Sequence, residues 1–187
     1  REVDELRKRI EDLVRRDEEV ARKVLEDVRR LVRRNREKAR ELLERVEKLV
    51  RDLKRVADRD LKDKETLKRM VDRVIEEVKR LVEELRRDSK RVIDEVERLV
   101  RELEDHSRRV KDEVEKLVRE LLERFKDVEE VKRVLDELRK LVKDSERKTK
   151  EVVEKVREDV KDSLRRSEEV LKRVKELVDR VADEVRK

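Results

Sequence analysis

The sequence predicts an all-α fold: three long, nearly straight antiparallel helices in a single elongated bundle with 18-residue repeats. Three observations carry this prediction. The 187 residues include no Gly and no Pro, although average usage is about 7% and 5%, so turns must be few. Charged residues make up 61% and hydrophobic residues 34%, and the hydrophobic ones form a broad apolar stripe of the kind that faces a core. Finally, a Leu-Val pair recurs at a fixed spacing.

That spacing is 18 residues within each of three blocks of the sequence. Eighteen residues make five turns of an α-helix, so the stripe stays on one side of a straight helix, whereas a heptad repeat imposes a left-handed supercoil. The blocks predict helices over about 2–58, 64–125 and 128–186 within one domain, 1–187. The pairs begin at Leu13, Leu31 and Leu49, then at Leu81, Leu99 and Leu117, then at Leu141 and Leu177, with Val160 alone in the last middle slot.

Two turns are needed to connect three helices, and the sequence offers one candidate for each. The apolar stripe lapses over ADRDLKDKET, residues 57–66, where Asp63 is a candidate N-cap. The second candidate is RFKDVEEV, residues 124–131, where Asp127 is followed three residues later by Glu130 in the pattern of a capping box.

Polar residues interrupt the apolar stripe at the repeat spacing, and Asn35 is the clearest case. If the first two helices are antiparallel about residue 62, facing residues sum to 124, and a parallel third helix is offset by 128. This register predicts two polar cross-sections, with Thr149 and Ser167 joining from the third helix, between apolar ones. The polar sections are Asp17/Ser107/Ser145 and Asn35/Ser89/Ser163, and the apolar ones include Ile10/Val114/Leu138, Val28/Val96/Val156 and Val46/Val78/Val174.

The same polar residues permit a different interpretation. Asp, Asn and Ser are also good N-caps, so the chain could instead form nine or ten short helices of roughly 16 residues. The apolar stripe keeps its phase across every such site, which favours long helices. Whether the polar sections are buried networks or helix breaks stays open at this point.

His106 is the one histidine, and it lies beside Ser107 near the level of Asp17. A Ser–His–Asp triad needs a defined nucleophile–base geometry and an oxyanion hole, but His106 and Ser107 point about 100° apart on a helix. We therefore interpret His106 as a partly exposed boundary residue. A lone His without a second ligand at metal-site spacing also argues against a metal centre. We predict no catalytic, cofactor-binding or metal-binding residues, no cofactor and no enzymatic activity.

Charge and hydropathy narrow the range of partners. The net charge is +6, but basic and acidic residues alternate along every helix and form no basic face, and Phe125 is the one aromatic residue, so nucleic-acid binding is not indicated. Apolar runs of at most two residues exclude a membrane span. The first ten residues, REVDELRKRI, lack the apolar core of a signal peptide, and no cellular location is indicated. We expect a monomer without obligatory partners.

The Leu-Val ladder, the Glu/Lys/Arg surface, the Val/Leu core and the paired polar sections resemble the computationally designed bundles built from parametric coiled-coil equations. The resemblance covers the whole chain and is closest to the untwisted, antiparallel three-helix type with 18-residue repeats. It implies a de novo designed, stable structural scaffold with no natural ligand or activity. Two alternatives stay open: a spectrin-like or coiled-coil spacer or interaction module, and a cationic binder of lipid or nucleic-acid surfaces.

Overall fold

The computed structural model describes residues 2–59, 63–125 and 129–186, and the part that it describes contains three long helices and no strand. Helix α1 spans Glu2–Arg59, α2 spans Lys64–Arg124 and α3 spans Glu129–Arg186. The prediction of an all-α bundle of three long helices is therefore confirmed. The alternative of nine or ten short helices is wrong, because Asp17, Asn35 and the serines of the polar sections all lie inside helices rather than at their first residues.

Ion pairs between helices give their relative directions. Helices α1 and α2 are antiparallel, because the residue numbers of the paired side chains increase along α1 while they decrease along α2. Helices α1 and α3 are parallel, because the numbers of their paired residues increase together. The α1–α2 pairs are Lys38 with Asp88 at 3.2 Å and Arg45 with Glu77 at 3.0 Å. The α1–α3 pairs include Arg7 with Glu137 at 2.8 Å and Glu18 with Lys148 at 3.6 Å.

The chain divides into two compact units, each assembled from one segment of each helix. Unit 1 comprises Arg1–Arg29 and Glu95–Glu158, and unit 2 comprises Arg30–Asp94 and Asp159–Lys187. That residues 1–187 form a single domain stays a prediction.

Each unit has its own apolar core, and the predicted apolar cross-sections supply it. In unit 1, Ile10, Val114 and Leu138 belong to one buried cluster. In unit 2, Val46, Val78 and Val174 belong to another. These side chains are nearly or completely buried, and burial of a Val or Leu side chain stabilises by about 1.5–3 kcal/mol.

The start of α2 is fixed by a side chain that the sequence indicates. Asp63 Oδ1 accepts a hydrogen bond from the backbone N–H of Glu65 at 3.3 Å, and Oδ2 accepts one from the Thr66 hydroxyl at 2.9 Å. The Asp63 carbonyl also accepts from the N–H of Leu67 at 3.1 Å. The predicted N-cap is therefore confirmed, and such a cap typically contributes about 1 kcal/mol. The second predicted cap, Asp127, lies outside the described residues.

Candidate functional site

The Asp17 layer is a group of polar residues in the interior of unit 1, formed by Asp17, His106, Ser107, Ser145 and Thr149. Asp17 is only 4% exposed, which is unusual because an isolated buried carboxylate is strongly disfavoured. Its partners come from α2. The Ser107 hydroxyl donates to Oδ1 at 2.9 Å and lies 3.0 Å from Oδ2, and Nδ1 of His106 lies 2.9 Å from Oδ1. The predicted pairing of Asp17 with Ser107 is confirmed.

These three residues do not have the arrangement of a catalytic triad. In a triad the serine hydroxyl donates to the imidazole, and the carboxylate binds the other ring nitrogen. Here the hydroxyl of Ser107 and Nδ1 of His106 both contact the carboxylate of Asp17. Asp17 is therefore the centre of the group, and the described contacts give Ser107 no imidazole base.

His106 lies at the boundary between interior and solvent, as the sequence indicates. Its side chain is 33% exposed, so the ring reaches water on one side while it contacts Asp17 on the other. The predicted register places His106 near the level of Asp17, but the hydrogen-bonding contact between the two side chains was not predicted. The register does indicate it, because the two residue numbers sum to 123, one less than the sum that defines facing positions.

Two hydroxyl residues of α3 complete the Asp17 layer. Ser145 and Thr149 are both buried, and Thr149 Oγ1 has no hydrogen-bond partner among the described residues. A buried hydroxyl without a partner costs about 1–3 kcal/mol. The described contacts of the Asp17 carboxylate thus come from α2, while the α3 side of the layer retains unused hydrogen-bonding capacity.

The Asn35 layer is the corresponding group in unit 2, formed by Asn35, Ser89, Ser163 and Ser167. Asn35 is 2% exposed. Its carbonyl oxygen accepts from the Ser89 hydroxyl of α2 at 3.2 Å, and its amide nitrogen donates to Ser167 Oγ of α3 at 3.2 Å. One side chain of α1 therefore binds both other helices.

Ser163 belongs to the buried section as predicted, but it is not the α3 partner of Asn35. Its hydroxyl has no hydrogen-bond partner among the described residues. The physical reason is that Ser163 and Ser167 lie about one turn apart on the same face of α3, so that either hydroxyl can face Asn35. The amide of Asn35 donates to Ser167, which the sequence also places in that section.

Outside the two layers, acidic and basic side chains form pairs on the helix surfaces. Arg98 is hydrogen-bonded to both Glu95 and Glu102. The hydrogen bond from Arg98 lowers the pKa of the Glu95 carboxyl; burial opposes this effect in part, and the positive charge of Arg98 lowers the pKa further. The same hydrogen bond with Glu95, together with both negative charges, raises the pKa of Arg98. Glu97 and Arg101, four residues apart on α2, also form an ion pair, at 3.8 Å.

Neither a metal centre nor a membrane span is found in the part of the chain that the structure describes. Over residues 2–59, 63–125 and 129–186, three or more His, Asp or Glu side chains do not converge as metal ligands would. The three helices, over the same residues, contain no stretch long and apolar enough to cross a bilayer.

Comparison with known proteins identifies the fold. A solved structure described as a computationally designed three-helix bundle superimposes with a TM-score of 0.60, covering 98% of this chain and 88% of that one at 22% sequence identity. The fold is a three-helix bundle. No protein-family model matches the sequence, and the comparison with curated proteins found no significant relative.

Proposed function

We propose that this chain is a de novo designed structural scaffold with no natural biochemical activity. The observation that carries the proposal is the similarity to a computationally designed three-helix bundle over 98% of the chain. The contacts of the polar residues agree with it. Of the side chains that could support chemistry, His106 and Ser107 of α2 both contact Asp17 of α1, so these contacts serve to position the two helices.

The finer part of this proposal is that the helices form an untwisted bundle generated from parametric equations. Ile10 and Val46 are 36 residues apart, or two repeats, and both lie in buried clusters. A heptad-based supercoil differs from a straight helix by about 20° per heptad, or about 100° over 36 residues. The recurrence of one repeat slot in both cores therefore supports a straight helix with an 18-residue period.

Cysteine crosslinking tests this repeat, because the chain contains no Cys. The double variants Ile10→Cys with Val114→Cys and Val46→Cys with Val78→Cys occupy equivalent slots, and we expect both to form disulfides under mild oxidation to a similar extent. A control pair, Ile10→Cys with Leu103→Cys, is displaced along α2 by 11 residues, about 16 Å of helix, and should not crosslink. Crosslinking of only one equivalent pair would contradict the untwisted repeat.

The absence of natural activity is tested with His106→Gln. The variant retains a polar side chain at the boundary but removes the imidazole. We expect the parent and the variant to give the same background rates with activated esters and phosphoesters. A hydrolytic rate above background in the parent that is lost in His106→Gln would overturn the scaffold proposal.

We also propose that the chain has no nucleic-acid or membrane-surface partner. The positive surplus is small, at +6, and basic residues are interspersed with acidic ones in pairs such as Arg98 with Glu102 at 2.7 Å. Retention on heparin or on anionic vesicles at physiological salt would contradict this proposal. At that salt concentration charges are screened beyond about 8 Å, so retention would require a dense patch of basic side chains.

A further inference from the structure

A cavity in unit 1 opens beside the Asp17 layer, and the structure describes what surrounds it. Its volume is about 380 Å³, at the lower end of the range of about 300–1,000 Å³ for small-molecule sites. The carboxylate of Asp17 and the hydroxyl residues Ser107, Ser145 and Thr149 line one part of it. Valine side chains line another part, Val14, Val110, Val114 and Val142. The cavity thus combines buried polar groups with apolar walls.

The polar groups of the cavity have hydrogen-bonding capacity that the described contacts leave unused. A carboxylate has about four acceptor positions, and Asp17 is contacted by one hydroxyl, which can donate a single proton, and by one imidazole nitrogen. Thr149 is 8% exposed, and its hydroxyl has no partner among the described residues. A ligand that donates several N–H groups would satisfy both residues.

The charge of the cavity also favours a cation. Asp17 is nearly completely buried, and a hydrogen bond from a cation to a carboxylate is about twice as strong as one between neutral groups. Lys150, which also lines the cavity, is exposed to solvent, where its charge is screened. The other acidic and basic side chains of the rim form pairs with opposite charges. These pairs are Lys111 with Glu146 at 3.6 Å, Arg108 with Asp105 at 3.8 Å and Glu104 with Arg157 at 3.8 Å.

We propose that this cavity is a binding site for a small organic cation, an amidinium or primary ammonium group carried on a compact apolar body. The cationic N–H groups donate to the Asp17 carboxylate and to the Thr149 hydroxyl, and the apolar body packs against the valine walls. This binding site goes beyond the scaffold role proposed above, because a structural scaffold does not need a ligand in order to fold.

Three probes of nearly the same shape and different charge test the proposal: benzamidinium, benzamide and benzoate. Titration of the ¹⁵N-labelled full chain, monitored by amide chemical shifts at one constant pH, gives the affinity of each. We expect saturable binding of benzamidinium at about 1 mM or tighter, at least about tenfold weaker binding of benzamide, and no saturable binding of benzoate. The largest shifts should occur at Asp17 and Thr149.

Two variants and one matched control locate the site. Asp17→Asn preserves the shape of the side chain and removes its charge, so the affinity for benzamidinium should fall at least about tenfold and its advantage over benzamide should disappear. Asp144→Asn, an exposed position of unit 1, removes the same charge and should change the affinity less than about twofold. Thr149→Leu places an apolar side chain in the cavity and should abolish binding while the helical circular dichroism spectrum is retained.

The proposal is overturned if benzamidinium does not bind at about 10 mM, or if benzamide or benzoate binds as tightly. It is also overturned if Asp144→Asn weakens binding as much as Asp17→Asn does. Should Asp17→Asn fail to fold, the comparison of the three probes with the parent and with Thr149→Leu decides the question alone.

Discussion

The Asp17 layer of unit 1 and the Asn35 layer of unit 2 occupy equivalent places in the repeat, two residues 18 positions apart, yet they bond differently. Asn35 accepts from α2 and donates to α3. Asp17 is contacted by two residues of α2, His106 and Ser107. The amide of Asn35 uses its donor toward one helix and its acceptor toward the other, whereas the described contacts of the Asp17 carboxylate all come from α2.

A polar side chain inside a bundle connects helices only where its donors and acceptors reach a partner. The amide of Asn35 uses both capacities and holds three helices with one residue. The carboxylate of Asp17 could accept a hydrogen bond from the Thr149 hydroxyl, but Thr149 Oγ1 has no partner among the described residues. The proposed cationic ligand would bind to this unused hydrogen-bonding capacity.

The largest effect is expected when the chemistry of the Asp17 layer is placed in unit 2. Asn35→Asp removes the donor to Ser167 and introduces a buried carboxyl with no imidazole beside it. We expect a loss of about 3 kcal/mol at neutral pH, measured by urea unfolding, since an uncompensated buried charge is strongly destabilising.

The pH dependence of Asn35→Asp gives an internal check. Burial raises the pKa of the introduced carboxyl in the folded state above its unfolded value, so the penalty is present at neutral pH and decreases as the pH falls and the group is protonated. The control Leu122→Asp, at a side chain that is 40% exposed, should cost less than about 1 kcal/mol. Equal losses in the two variants would show that Asn35 does not lie in a buried layer.

A smaller effect is expected when the amide of Asn35 is replaced by an apolar group. Asn35→Leu leaves the hydroxyls of Ser89 and Ser167 without their partner, and we expect a loss of about 1–3 kcal/mol. The triple variant Asn35→Leu, Ser89→Val, Ser167→Val removes all three polar groups together and should recover most of that loss. Denaturant unfolding of both decides the matter, and a triple variant less stable than Asn35→Leu would refute the hydrogen-bonded layer.

The converse exchange in unit 1 should have little effect on stability. Asp17→Asn keeps an acceptor for Ser107, removes a buried charge and adds a donor that can bind a hydroxyl of α3. We expect a change within about 1 kcal/mol of the parent, again by urea unfolding. A loss as large as that of Asn35→Asp would mean that the carboxylate charge itself stabilises unit 1.

The smallest effect on stability is expected at the surface, at the ion pair of Glu95 with Arg98, against which the effects at the two buried layers can be compared. Because the pKa of Glu95 is lowered in the folded state, its pair with Arg98 stabilises the protein above the unfolded pKa of the carboxyl, and this contribution is lost as the pH falls through the folded pKa. Glu95→Gln should remove that pH dependence, and high salt should mask the difference between variant and parent. An NMR titration of Glu95 that shows no lowered pKa would contradict this assignment.

Much of the fold could be predicted because the physical signals are local and repeated. The lack of Gly and Pro, together with an apolar stripe that never loses its phase, requires long helices. The side-chain oxygens of Asp63 mark the start of α2. Facing residues of antiparallel α1 and α2 have numbers that sum to 124. This rule predicted the contacts of Asp17 with Ser107 and of Asn35 with Ser89.

The rest of the site depends on distances that a residue pattern does not contain. Ser163 and Ser167 lie about one turn apart on the same face of α3, and the direction of the Asn35 side chain decides which one it binds. The cavity beside Thr149 depends on how side-chain volumes fill the interior of unit 1. A repeat of residue types cannot distinguish a filled cross-section from one that leaves about 380 Å³ free.

The two hydrogen bonds of Asn35 point in the same sense, and this has an electrostatic consequence. The Ser89 hydroxyl donates to the Asn35 carbonyl, and the Asn35 amide donates to Ser167, so the bond dipoles add along the direction from α2 through α1 to α3. In a medium of low dielectric constant, aligned hydrogen bonds polarise and strengthen one another. Unit 2 therefore contains a small dipole that runs across the helices, whereas the helix macrodipoles run along them. The interior of this repetitive sequence thus has a defined polarity from α2 to α3.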